Sequence, residues 1–111
     1  MTTDLLTAIM AERVMGWRVG PNRIQKGGRR WAPCWRFQPL RRLDHALQLL
    51  EKAAAKYTLT KSVDGTSTAR VSLGDRRGIA SAKSEAAAIT GAVARAIGID
   101  VPDELLEACQ E

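Results

Sequence analysis

The sequence predicts a single α+β domain over residues 1–111, with helices packed on a small antiparallel sheet of three to five strands. The chain is long enough for one domain and too short for two, and its 45% hydrophobic content can bury one core. Apolar residues recur at helical spacing over residues 4–15 and 41–56, alternate from residue 57, and return to helical spacing after residue 84. The predicted order is helix, short strands, helix, three strands, helix and short helix.

The first predicted helix covers residues 4–15. Thr3 can cap it, Asp4 suits its first turn, and Gly16 can end it. Its apolar side carries Leu6, Ile9, Met10, Val14 and Trp17. We expect Trp17 to lie in the core, because a chain with 5% aromatic residues can leave few of them exposed.

Residues 17–38 are irregular, with turn signals at Gly20-Pro21-Asn22 and Gly27-Gly28. The segments WRV and RRWAPCWRF can each supply a short strand, which predicts a hairpin with Gly27-Gly28 at its tip. Trp35 and Phe37 would then share one face, and we expect both to be buried.

A second helix is predicted over residues 41–56, with Pro39 in the turn that opens it. Its apolar stripe is formed by Leu43, Leu47, Leu50 and Ala54. Strict alternation from Tyr57 and the turn signal Asp64-Gly65 then predict two strands of a hairpin. A further turn over residues 74–78 leads to a third strand over 79–82.

Ser84 caps a helix whose buried stripe contains Ile89, Val93, Ala96 and Ile97, and Gly98 ends it. A short last helix opens at Pro102, with Leu105, Leu106 and Cys109 as its apolar side. Helices packed on one face of the sheet would bury the apolar stripe of each predicted helix. Helix layers on both sides, in α-β-α order, would also bury its second face.

The charge is distributed unevenly along the chain, whose net charge is +5 and whose pI is near 9.8. Eight basic residues and no acid lie between Arg18 and Arg42, and five acids and no base lie between Asp100 and Glu111. Such a basic region favours an acidic partner: a nucleic acid, an anionic membrane or an acidic protein face. The acidic tail could instead cover the basic loop, within one chain or between two copies, which leaves a homodimer open.

Catalytic and metal-binding patterns are missing from the sequence. His45 is predicted to be a surface residue, and Cys34 and Cys109 with one histidine do not have zinc-ligand spacing. The glycine-rich segment GPNRIQKGG lacks the Lys-Ser/Thr ending of a phosphate loop. We therefore expect a non-enzyme without metal or cofactor. Without a signal peptide pattern or an apolar run of about 20 residues, we expect a soluble cytoplasmic protein with reduced thiols and no membrane contact.

The candidate partner-binding residues lie in the basic region. Trp31 follows Arg29-Arg30 near the Gly27-Gly28 tip, where little can cover it, so we expect the segment from Arg23 to Trp31 to be displayed. An exposed tryptophan among arginines suits a protein interface or a stacking platform for a base. The predicted site comprises Arg23, Lys26, Arg29, Arg30, Trp31, Arg41 and Arg42.

Several short words of the sequence resemble the phage ABA sandwich domain, a family of small tailed-phage proteins. They are Val14-Met15-Gly16-Trp17 at a helix end, Phe37-Gln38-Pro39 before a helix containing Asp44-His45-Ala46-Leu47, and Ala88-Ile89 after Ser84. Leu47 stands where the family has tryptophan, and the acidic tail is outside its pattern. The resemblance implies a phage or prophage origin and α-β-α layering, and it implies no activity.

Three functions are consistent with these features. The leading hypothesis is a non-enzymatic phage accessory protein in the host cytoplasm, an anti-CRISPR-like inhibitor whose basic loop docks on an acidic host protein or protein–nucleic acid complex. The second is direct, phosphate-driven nucleic-acid binding. Residues 43–97 have the element order of a double-stranded-RNA-binding domain, although its lysine cluster is missing and Glu85 stands there. The third is a phage structural or self-assembly protein.

Overall fold

The computed structural model describes residues 3–20, 23–25, 31–33, 36–53 and 56–107. Within these ranges, four helices and two three-stranded sheets confirm the α+β class and the predicted element order. The elements are α1 (Thr3–Arg13), β1 (Arg18–Gly20), β2 (Arg23–Gln25), β3 (Trp31–Pro33), α2 (Leu43–Ala53), β4 (Lys56–Lys61), β5 (Ser67–Leu73), β6 (Arg76–Ala82), α3 (Glu85–Ala96) and α4 (Asp103–Glu107). In the described ranges, no helix is long and apolar enough to cross a membrane.

The first sheet is an antiparallel meander in the order β1-β2-β3 rather than a single hairpin. Val19, Ile24 and Ala32 are in register across it and face the core, where Ile24 is 2% exposed. The predicted hairpin tip, Gly27-Gly28, falls in the connection between β2 and β3 and lies outside the described residues, as does Trp35.

The second sheet, in the order β4-β5-β6, follows the predicted alternation closely. Ala69 and Val71 of β5 are buried on one face together with Ala80 and Ala82 of β6. The turn between β5 and β6 is shorter than the predicted residues 74–78, because Gly74 adopts a φ of 60° and reverses the chain at once. Strand β6 therefore begins at Arg76, where Leu73 pairs with it.

Helix α3 lies between the second sheet and α2, and ten of its twelve residues are buried. Its alanines allow the helix to approach the sheet closely at Gly78, and the Thr90 hydroxyl donates a buried hydrogen bond of 2.7 Å to the Pro39 carbonyl. The opposite face of this sheet, with Arg70 and Ile79, is exposed. Of the two packing alternatives, the arrangement with helices on one sheet face is the one observed in the part of the chain that is described.

The buried side of α2 differs from the predicted stripe. Ala46, Leu49 and Leu50 face the core, whereas Leu43 and Leu47 are 39% and 36% exposed. The helix begins at Leu43, because the backbone N–H groups of residues 41 and 42 both donate to the carbonyl of Gln38 and form a turn. Pro39 is therefore buried in that turn rather than in the helix, and the predicted stripe residue at 54 lies outside the described ranges.

The terminal helices agree with the sequence. In α1, Leu6, Met10 and Ala11 are fully buried, and Gly16 follows the helix with a φ of 73°. In the C-terminal part, Val101 and Leu106 are buried. The predicted apolar residue Cys109 lies outside the described residues, as does Cys34.

The hairpin turn between β4 and β5 contains a carboxylate with an altered pKa. Asp64 accepts hydrogen bonds from the Ser62 hydroxyl and, at 3.0 Å, from the Thr66 backbone N–H. These bonds, with that of Ser62 the largest, lower the pKa of Asp64 from 3.8 to about 2. Lys83 donates to the Asp64 carbonyl and ties the turn to the end of β6.

Stability should therefore fall in acid in a way that depends on Asp64. A depressed pKa means that the carboxylate contributes stability above pH 3.8, and that this contribution is lost as the pH falls through about 2. We expect the denaturant midpoint of Asp64→Asn, measured by circular dichroism, to change less between pH 4 and pH 2 than that of the unchanged protein. Asp75→Asn, in the other hairpin turn, is the control; an equally reduced change there would contradict the assignment.

Candidate interaction site on the first sheet

The outward face of the first sheet presents two cross-strand rows. Arg18, Gln25 and Trp31 are in register, and Gly20, Arg23 and Pro33 form the next row. Because side chains alternate along a strand, these rows lie opposite the core-facing row of Val19, Ile24 and Ala32. The predicted residues Arg23 and Trp31 are thus brought onto one face, which we call the Arg23–Trp31 surface.

Trp31 is 39% exposed and is held by Arg23. The guanidinium carbon of Arg23 lies 4.6 Å from the centroid of the indole ring, a cation–π contact that contributes about 0.5–1 kcal/mol at an exposed position. Gly20 lies next to both side chains, because a Cβ built there would be 3.4 Å from Trp31 Cζ3 and 3.6 Å from Arg23 Cγ. The Arg23–Trp31 pair therefore has a defined orientation, and it packs over Gly20, which has no side chain.

The surface is basic. Arg18 and Arg23 are exposed, and within the described residues no carboxylate forms an ion pair with either. Three further residues of the predicted site, Lys26, Arg29 and Arg30, lie outside the described residues.

Arg41 and Arg42 are exposed, but neither is joined to the Arg23–Trp31 surface by a hydrogen bond, ion pair or ring contact in the described ranges. Arg42 binds Asp44 in a bidentate manner through one edge of its guanidinium group, Nε to Oδ1 at 3.2 Å and Nη2 to Oδ2 at 3.3 Å. These hydrogen bonds are the main reason that the pKa of Asp44 is lowered. Arg42 therefore has a local role at the start of α2, and the assignment of both arginines to the partner site stays a prediction.

His45 is not the surface residue that was predicted. Its side chain is 16% exposed, its Nδ1 accepts a 2.9 Å hydrogen bond from the backbone N–H of Gln38, and its ring stacks on Phe37 at 5.8 Å. Phe37 in turn contacts Trp17 edge to face at 4.9 Å. Phe37 is 2% exposed and Trp17 is half-buried against the core, so the aromatic residues at both ends of this region are structural.

The described part of the acidic tail forms its ion pair with a residue outside the basic region. Asp103 of α4 binds Arg95 of α3 at 2.8 Å. The Arg95 guanidinium also donates to the carbonyls of Ile79 and Val101 at 2.8 and 2.6 Å. Arg95 thereby fixes α4 against α3 and β6, an arrangement that sequence spacing alone did not indicate. Between residues 100 and 107, no ion pair reaches Arg18 or Arg23.

The fold class defined by these elements is shared with a protein of known structure. A phage protein from Bacillus cereus ATCC 14579, solved by crystallography at 2.0 Å, superimposes with a TM-score of 0.75 over 92% of this chain and 93% of that one. The two sequences are 18% identical, so the likeness establishes a common fold. No family model matches the chain, and no curated protein matches its sequence.

Proposed function

We propose that this chain is a non-enzymatic phage accessory protein that docks on an acidic surface of a host protein through the Arg23–Trp31 surface. In this proposal it acts in the host cytoplasm as an anti-defence inhibitor, comparable in action to anti-CRISPR proteins. The fold shared with a phage protein supports the phage origin, as does the resemblance of the Val14-Met15-Gly16-Trp17 word to the phage ABA sandwich domain. The observation that carries the docking role is the exposed indole of Trp31 under the guanidinium of Arg23.

A protein partner fits this surface better than a nucleic-acid base. A stacking platform needs an open ring face, and the Arg23 guanidinium already lies over the Trp31 ring. Tryptophan and arginine are the residues most enriched at energetic centres of protein interfaces. A preoriented pair loses little side-chain freedom on binding, which favours affinity.

The double-stranded-RNA-binding alternative is disfavoured by the position of α3. That module places the start of its second helix against the nucleic acid. Here ten of the twelve residues of α3 are buried between the second sheet and α2, and Glu85 lies in its first turn. Helix α3 therefore serves as the core of the domain.

We expect Trp31→Ala to weaken binding to the host partner by about 30-fold or more, since hot-spot residues contribute about 2 kcal/mol or more. Arg23→Ala should weaken it less, because the indole remains. The measurement is capture of the partner from host lysate by tagged protein, followed by titration calorimetry with the purified partner.

The matched control is Tyr57→Ala. Like Trp31, Tyr57 is an exposed aromatic residue, but it lies on β4 of the second sheet. It should bind the partner as the unchanged protein does. Equal losses for the Tyr57 and Trp31 variants would contradict the proposal, and so would capture that disappears after nuclease treatment of the lysate.

A further inference from the structure

The outward face of the second sheet is open and its side chains are arranged in three rows. Lys56, Ser72 and Arg77 form the first row across β4, β5 and β6, and Thr58, Arg70 and Ile79 form the second. The third row contains Thr60, Thr68 and Ser81. All of these side chains point away from α3, because the alternate residues of each strand face it.

The three cations of this face form a triangle. Neighbouring strands are about 4.8 Å apart and alternate residues of a strand about 6.8 Å apart. The Cα atom of Arg70 therefore lies roughly 8 Å from the Cα atoms of Lys56 and Arg77, which are roughly 10 Å from each other. All three are exposed, and no acidic residue occupies a position in the three rows. The nearest acid along the strands is Asp75, in the turn beyond the first row.

These cations differ from the neighbouring basic residues in having no partner inside the described chain. Arg76 donates to the Ile97 carbonyl, Lys83 to the Asp64 carbonyl, and Arg95 to Asp103. In contrast, the side chains of Lys56, Arg70 and Arg77 make no hydrogen bond or ion pair with any residue in the described ranges. Their charges are therefore available to an external anion.

We propose that this face of β4–β6 binds the phosphate backbone of a nucleic acid without reading its sequence. Arginine, lysine, serine and threonine side chains contact phosphate and sugar in such complexes. This face presents side chains of these types: three cations, and the exposed hydroxyl groups of Thr58 and Thr60. A protein interface would instead have an apolar or aromatic centre, whereas Ile79 is the only large apolar side chain in the three rows. The proposal is independent of the Arg23–Trp31 surface.

The test measures fluorescence anisotropy of labelled 30-base-pair duplex DNA of random sequence, and of the single strand of the same length, at increasing salt. For the duplex, three phosphate contacts predict a dissociation constant that rises about 40-fold from 50 to 200 mM salt, and for the single strand a rise of about 18-fold. The double variant Arg70→Gln/Arg77→Gln, left with one contact, should show a rise of only about 3.5-fold and weaker binding at 50 mM. Circular dichroism checks that each variant is folded.

The charge-matched control is Arg13→Gln/Lys52→Gln, which removes two exposed cations from the last turns of α1 and α2. It should keep the 40-fold salt response. Ile79→Glu, which places a carboxylate beside Arg70 at a 53% exposed position in the second row, should also weaken binding at 50 mM salt. Equal losses in the two double variants would overturn the proposal, as would absence of binding at 50 mM salt or equal competition by polyglutamate.

Discussion

Gly78→Ala is expected to lower the free energy of unfolding by about 3 kcal/mol. A Cβ at Gly78 would overlap the backbone carbonyl oxygen of Ala92 and would lie 2.6 Å from the backbone nitrogen of Ala96. Both atoms belong to α3, so no side-chain rotation relieves the overlap and the helix itself must move off the sheet. Because α3 is buried along nearly its whole length, that movement disturbs the packing on its other side as well.

Alanine variants at two other glycines, Gly91 and Gly20, provide a comparison for the stability loss expected at Gly78. At Gly91 the nearest atoms are the Leu106 methyl groups at 2.8 Å, which can shift, and alanine has the better helix propensity by about 1 kcal/mol, so the net loss should be small. At Gly20 the nearest atom is 3.4 Å away, and Gly20→Ala should change stability by less than about 1 kcal/mol. Chemical denaturation measures all three variants. Equal stability of the variants at positions 78 and 20 would contradict the close approach of α3 to the sheet.

The second sheet and α3 could be predicted from sequence because their information is local. Alternation assigned the inward positions of β5, and the Asp64-Gly65 signal placed the turn, where Gly65 has a φ of 90°. Ser84 caps α3 as expected, since its side chain accepts from the backbone N–H of Ala87. None of these features depends on which distant segment packs against the element.

The buried side of α2 could not be predicted because both of its sides are rich in leucine. The predicted stripe with Leu43 and Leu47 and the observed one with Ala46, Leu49 and Leu50 both have helical spacing. The choice is made by tertiary packing: α2 packs against α3 and buries the side with Ala46, Leu49 and Leu50. A preference set by a partner helix is not readable from the helix alone.

The candidate site was predictable in part. The arginines before Trp31 indicated that its indole is exposed, which is what the structure shows. The contact with Arg23 was not indicated, because it depends on the register between β2 and β3 and on the space left by Gly20. His45 was misplaced for a similar reason: its hydrogen-bond donor, Gln38, comes from the turn before its own helix.

Phe37→Ala should be about as damaging as Gly78→Ala or more so, with a loss of about 3–5 kcal/mol in the free energy of unfolding. Phe37 is 2% exposed and touches two rings from different segments, Trp17 after α1 and His45 in α2. Its removal leaves a cavity between these segments and loses aromatic contacts worth about 0.5–1.5 kcal/mol each. The loss is a large fraction of the 5–15 kcal/mol that is usual for a domain of this kind.

Phe37→Leu separates the two contributions, because leucine fills much of the cavity without restoring the ring contacts. It should therefore lose less than Phe37→Ala under the same denaturant titration. Tyr57→Ala, at a position that is 49% exposed, should change stability by about 0.5 kcal/mol or less. A loss of under about 1 kcal/mol for Phe37→Ala would mean that the turn before α2 is not anchored by this ring. The N-terminal helix and α2 would then have to be held in the core by their aliphatic residues, Leu6, Met10, Leu49 and Leu50, without the aromatic cluster.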